Sequence, residues 1–224
     1  MWQEDTFDPR QEESPRRIPW LGIAVAALVM MAVGLWLASM SFTNKTNDIL
    51  RSQEEMATAV KNSHPFRYRE LIETQAQLNN LHPAYIAAIV LNESSFKPDA
   101  ESNVGARGLM QIMPDTAEWV HGKIAANEPY DFDQMYEPDV NVRYACWYLN
   151  FLSERFRGDP ILVAAAFHAG QGTVQNWLND SRYSIDNQTI VLENMVDGPT
   201  KSYAARVLDA YAVYKRLYYE EGTL

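Results

Sequence analysis

Hydrophobic and polar positions along the chain fall into two regimes. Between Ile18 and Asn44 there is no charged residue, and the stretch from Trp20 to Phe42 is apolar almost without interruption. Beyond Pro65 the apolar positions recur three and four residues apart between polar ones, the spacing of one helical face. Phe66, Leu71, Ile72, Ala76 and Leu78 mark a first amphipathic helix. A second starts at Pro83, since proline suits a first turn, and runs to Glu93, while Pro114 opens a third through Thr116, Ala117, Trp119 and Val120. A fourth spans Asp139 to Phe156, with Val142, Ala145, Cys146, Leu149 and Leu152 on one side. Pro160 starts a fifth over Ile161 to Phe167, stopped near Gly170, and another begins near Thr173 and covers Val174, Trp177 and Leu178. The last runs from Thr200 to Tyr219. Strand signals are scarce and no internal repeat is visible, so the pattern predicts a mostly α domain preceded by one N-terminal transmembrane helix.

About 20 residues at about 1.5 Å each give the ~30 Å needed to cross a bilayer, and the apolar run meets that length. Trp20 and Trp36 lie near its two ends, where indole rings favour the interface. A cleaved signal peptide is the competing reading. Its apolar core is usually only about 7–15 residues long, and small residues flank its cleavage site. Here the run is longer, and Ala38-Ser-Met40 puts methionine where a small residue belongs, so an uncleaved anchor is expected. Arg10, Arg16 and Arg17 precede the span and only Lys45 and Arg51 closely follow it, which predicts a cytoplasmic N-terminus and an external domain. The expected division is a tail over residues 1–17, the span over 18–42, a polar stalk over 43–63 and a catalytic domain over 64–224, with His64-Pro65 as the boundary.

Composition narrows the partners. With 47% hydrophobic and 12% aromatic residues among 224, the chain lies outside the disordered range. A formal charge of −10 argues against a nucleic-acid partner and predicts no attraction to an anionic cell wall. The lone Cys146 excludes an intrachain disulfide and sits in an apolar helical run, where a thiol behaves as a small buried hydrophobe. His64 and His121 fall in polar, loop-like contexts and read as solvated, while His82, just before Pro83, reads as a helix cap. No histidine pair has metal-ligand spacing beside a carboxylate, so no metal and no cofactor are predicted.

The chemistry concentrates at Glu93. It closes the apolar segment Pro83-Ala-Tyr-Ile-Ala-Ala-Ile-Val-Leu-Asn-Glu93, and desolvation in such surroundings penalises the charged carboxylate and raises its pKa. A glutamic acid kept protonated near neutral pH can deliver a proton to a leaving oxygen. The loop that follows, Ser102-Asn-Val-Gly-Ala-Arg-Gly-Leu-Met-Gln-Ile-Met-Pro114, carries Gly105 and Gly108 for a tight turn and close ligand approach, with Met110 and Gln111 as adaptable apolar and polar surface. Taken alone, this is equally readable as a surface loop behind a capping glutamate.

The whole string, Glu93-Ser-Ser-Phe96 and then Ser102 to Pro114, resembles the catalytic core of the SLT-type lytic transglycosylases, a family with a goose-lysozyme-like fold. Asn141 to Leu149, Ala165-Ala-Phe-His-Ala-Gly170 and Pro199-Thr-Lys-Ser-Tyr203 resemble three further segments in that family's order, so the likeness covers residues 65–220. It implies a lysozyme-like helical domain, peptidoglycan as substrate and Glu93 as the sole acid/base. Glu93 would protonate the oxygen between N-acetylmuramic acid and N-acetylglucosamine, then take the proton of the muramyl C6 hydroxyl as it closes on C1. Ser102, Met110, Gln111, Phe167, His168 and Tyr203 match substrate-groove positions, Tyr203 close to the acid. Phe167 stands where the family has tyrosine, His168 where it has asparagine, Pro199 where it has glutamate, and Ala145 where it has glycine. Two other readings stay open. One is a hydrolase in which Asp99, Glu101, Asp115 or Glu193 activates water; the other is an inactive wall-binding module.

Overall fold

The computed structural model describes residues 20–220, so the expected tail over residues 1–17 lies outside the described residues. The chain divides into two compact units, residues 1–56 and 57–224.

All of the first unit's described part belongs to α1, Trp20–Ser63, a helix of 44 residues with no buried side chain. Its apolar half is long enough to cross a membrane. At about 1.5 Å per residue α1 measures about 66 Å, roughly twice a bilayer's hydrocarbon thickness. The segment expected as a stalk therefore continues the same helix without a break. Polar residues enter it gently: the hydroxyls of Ser41 and Thr46 donate back to the carbonyls of Leu37 and Phe42 at 3.0 and 2.9 Å, so little polarity is left uncompensated.

The second unit holds α2 (Arg69–Leu78), α3 (Pro83–Ser94), α4 (Pro114–Ile124), α5 (Pro138–Arg155), α6 (Pro160–Ala169), α7 (Gln171–Leu178) and α8 (Pro199–Tyr218). Five of these open on proline, whose missing N–H is not needed in a first turn. No strand occurs among the described residues; isolated bridges join Glu101, Arg107 and Ile112 in the loop after α3.

The core is built around α3. Every residue from Ala84 to Val90 is buried, which explains why this helix is apolar all round rather than along one stripe. Its most extensive contact is with α8, and α6, equally apolar over Leu162–Ala166, also packs on α8. Tyr85 of α3 donates to the Pro160 carbonyl at 2.8 Å, tying α3 to the start of α6. Cys146 is buried in α5, and burial pushes its thiol pKa up, away from any nucleophilic role.

Three sequence readings need correction. Leu78 is exposed rather than on the core face, because α2 turns its buried side through Ile72 and Ala76. His121 is buried in α4, not solvated; its Nδ1 hydrogen-bonds the Tyr144 hydroxyl at 2.8 Å, which satisfies the ring inside the core. His64 is half-buried with its ring edge against Tyr214 at 5.5 Å. His82 does cap α3: its Nδ1 accepts the Ala84 N–H at 3.2 Å.

Candidate active site

Glu93 sits in the last turn of α3, where the apolar helix reaches a sharp reversal. Ser95 and Phe96 both adopt left-handed backbone, φ 52° and 63°, and Phe96 plunges into the core. This bend sends the chain into the glycine loop directly beside the carboxylate. Ser94 pins the two together, its hydroxyl donating to the Leu109 carbonyl at 2.8 Å.

The loop is tightly built. Ser102 accepts the Ala106 N–H on its Oγ at 2.9 Å, and the Gln111 amide donates to the carbonyls of Ala100 and Gly108, both at 3.0 Å. Gly108 has φ 78°, and a Cβ there would collide with the Met135 carbonyl and the Asn141 side-chain amide. Asn141, fully buried on α5, is the reason for that crowding. Its Oδ1 accepts the Met110 N–H at 2.8 Å, while its Nδ2 donates to the carbonyls of Arg107 and Met135 at 2.9 Å each. Arg107 closes the outside, paired with Asp133 at 2.6 Å and lying over the rings of Phe132 and Tyr136.

From the far side, α8 brings Tyr203 to Glu93, its hydroxyl donating to Glu93 Oε1 at 2.5 Å. Burial pushes the Glu93 carboxyl up to about 7, against the opposing pull of the Tyr203 hydroxyl and of Arg206. The same burial, with the carboxylate beside it, holds the Tyr203 phenol well above its usual range, so at neutral pH it stays a donor. His168, at the end of α6, lies against the Tyr203 ring at 4.6 Å between centroids, and its Nδ1 meets the Thr200 hydroxyl at 3.0 Å. Arg206 reaches across to Asn92 at 3.3 Å. Phe167 packs beside Tyr148 at 5.9 Å.

Of the residues singled out in the sequence, Glu93, Tyr203 and His168 therefore converge on one point. Ser102 and Gln111 hold the loop that ends beside it, with their bonds spent inside that loop. Met110 is wholly buried, so it meets a ligand only through the shape and backbone of the loop it fills. The structure adds Asn141, Thr200 and Arg206. Thr200, Tyr203 and Arg206 follow one another at intervals of three, one face of α8, which is the sequence signal that could have grouped them. Nearby, Trp119, Trp147, Tyr148 and Phe151 form an aromatic cluster, and Asp115, Thr116, Trp119, Tyr148 and Gln171 line a cavity of about 260 Å³. A cavity of about 460 Å³ flanks His82 and Tyr211 at the opposite end of α3 from Glu93. Among the described residues no cluster of His, Cys, Asp and Glu could hold a metal ion.

A helical domain, without a strand among the described residues, that holds a half-buried glutamic acid at the mouth of a glycine loop is the arrangement of the lysozyme-like class. Residues 70–190 match the transglycosylase SLT domain family, more than half the chain. The chain belongs to that family. It is 34% identical over 152 residues to the soluble lytic murein transglycosylase of Salmonella typhimurium, covering 68% of this chain and 23% of that one. It is 33% identical over 116 residues to membrane-bound lytic murein transglycosylase F of Desulfosudis oleivorans, covering 49% of this chain and 23% of the relative. Among solved structures it resembles the lytic transglycosylase Slt of Pseudomonas aeruginosa in an inactive glutamate-to-glutamine form, with TM-score 0.61 and 35% identity over 69% of this chain and 25% of that one. The chain thus spans about a quarter of the length of these relatives.

Proposed function

We propose that the domain is a membrane-anchored lytic transglycosylase that cleaves the β-1,4 bond between N-acetylmuramic acid and N-acetylglucosamine in peptidoglycan. The observation that carries this reading is Glu93, a carboxyl with a pKa raised to about 7 by burial and held in place by Tyr203. A group titrating there is divided between acid and base at working pH, as a residue needs to be when it must serve as both. Glu93-H gives its proton to the glycosidic oxygen as the C1–O bond breaks. The resulting carboxylate then takes the proton from the muramyl C6 hydroxyl as that oxygen bonds to C1, leaving a 1,6-anhydro end and restoring the acid.

Because the nucleophile belongs to the substrate, no second carboxylate is required, unlike hydrolysis by a pair about 5–9.5 Å apart. Glu101, a candidate for such a partner, is occupied by Arg107 at 3.3 Å. The inactive glutamate-to-glutamine relative supports a reaction that turns on a glutamate. Ser102, Met110 and Gln111 hold the shape of the loop beside Glu93, while His168 and Tyr203 stand on the α6 and α8 side of it and Phe167 packs on Tyr148, so these residues are the ones proposed to meet the glycan strand. Membrane-bound relatives and the apolar half of α1 support an anchor over residues 18–42, and Arg10, Arg16 and Arg17 ahead of it support a cytoplasmic N-terminus with the domain over 64–224 outside. Such tethering confines an acidic domain near a wall that would not attract it by charge.

Mass spectrometry of the fragments released from purified peptidoglycan tests this. Anhydro-muramyl ends are expected; reducing ends would indicate a hydrolase, and no fragments an inactive binding module.

A further inference from the structure

We infer that His168 and Thr200 form a clamp that positions Tyr203 on Glu93, so that His168 acts through the tyrosine rather than as a sugar contact alone. The inference rests on the reaction proposed above for Glu93. Three contacts run in series: the Thr200 hydroxyl to His168 Nδ1 at 3.0 Å, the His168 ring onto the Tyr203 ring at 4.6 Å with a 32° tilt, and the Tyr203 hydroxyl to Glu93 at 2.5 Å. Thr200 and Tyr203 lie three residues apart on one face of α8, while His168 comes from the end of α6, so the imidazole bridges the two helices over the tyrosine.

Geometry gives the clamp its consequence. A phenol swings about two side-chain torsions; Tyr203 is buried, and the His168 ring covers one side of it while its oxygen lies 2.5 Å from one carboxylate atom. The hydroxyl bond lowers the Glu93 pKa, opposing the burial that raises it. A loosened Tyr203 therefore lets Glu93 drift further up, which makes Glu93-H a weaker acid toward the glycosidic oxygen in the first step. The charged and titratable groups facing His168 are Tyr203 and Arg206 on α8 and, through Tyr203, Glu93 on α3. Burial and Arg206 hold the imidazole below its ordinary value, so at neutral pH it is the uncharged ring that packs on the phenol. A cation there would instead stabilise the nearby Glu93 carboxylate and pull its pKa down.

The test is a carbon-13 NMR titration of glutamate carboxyls in the full chain in detergent, with the Glu93 signal assigned by its absence in Glu93→Gln, alongside kcat and KM on peptidoglycan. His168→Ala is expected to raise the Glu93 midpoint by about half to one pH unit and to reduce kcat, since losing the whole hydrogen bond to a charged group would shift it by about one to two units and a loosened Tyr203 keeps part of that bond. Thr200→Val, which keeps the side-chain shape and removes the hydroxyl, should shift it in the same direction by less. His168→Asn, which can still bond Thr200, should recover part of the shift. If His168→Ala leaves the Glu93 midpoint in place and changes only KM, the clamp is wrong and His168 is a substrate contact. If Thr200→Val leaves the midpoint unmoved while His168→Ala shifts it, the threonine tether is wrong. Retained turnover in Glu93→Gln would instead overturn the reaction assigned to Glu93 while leaving the NMR result on the clamp standing.

Discussion

Replacing Asn141 with alanine tests how the catalytic loop is held. This one amide satisfies the Met110 N–H and the carbonyls of Arg107 and Met135, all at 2.8–2.9 Å and in the core. Each buried hydrogen bond contributes about 1 kcal/mol net, and up to about 2 where the abandoned partner finds no water. Three of them give a loss of about 3–6 kcal/mol, a large share of the roughly 5–15 kcal/mol that stabilises a typical domain. At about 2–4 °C per kcal/mol for a domain of this size, the melting midpoint should fall by roughly 10 °C. Thermal unfolding followed by near-ultraviolet circular dichroism of the Trp119 and Trp147 cluster reads this directly. Peptidoglycan turnover should fall as well, since the loop bearing Gln111 loses its tie to α5. Asn141→Asp provides the control on mechanism. It keeps an acceptor for Met110 but turns the other oxygen on two carbonyls, so it must stay protonated, and its penalty should grow as pH rises. A melting midpoint within about 2 °C of wild type in Asn141→Ala would refute the reasoning.

Tyr203→Phe removes the donor that lowers the Glu93 pKa, so the basic limb of the pH–rate profile should move up by about one unit while kcat falls; an unmoved limb contradicts the assignment. Glu93→Gln should abolish turnover yet stabilise the protein at high pH. Folding raises this carboxyl from 4.5 to about 7, so its stabilising contribution is full below 4.5 and is lost as pH climbs through 7, leaving the wild type penalised by about 3 kcal/mol above that. Denaturant midpoints at pH 5 and pH 8 check the sign, with the variant gaining on wild type only at pH 8. His82→Ala should cost about 1–2 kcal/mol by chemical denaturation, losing both the cap on Ala84 and the ring edges against Tyr211 and Tyr219.

Local signals in the sequence carried far. Proline at the first turn marked the starts of α3, α4 and α6, and the apolar approach to Glu93 pointed to the burial that raises its pKa, because both depend on residues within a turn or two of one another. What depends on distant partners stayed hidden. Tyr203 reaches Glu93 from 110 residues away, and only its place in a family-like segment brought it forward. His121 read as solvated because its neighbours Gly122 and Lys123 are polar, whereas its partner Tyr144 lies on another helix. Met110 read as groove surface because its loop is glycine-rich, yet Asn141 draws that loop inward until the side chain is enclosed. Leu78 obeyed helical spacing, but α2 ends there, before any neighbour covers it. Periodicity reports which face is apolar; it does not report what packs against it.

The central claim is that the C6 hydroxyl of the substrate, not water, closes on C1 under the control of Glu93 alone. Digestion of purified peptidoglycan in oxygen-18 water decides it. The account predicts anhydro-muramyl fragments carrying no heavy oxygen, and none at all from Glu93→Gln; reducing-end fragments labelled with one oxygen-18 would contradict it.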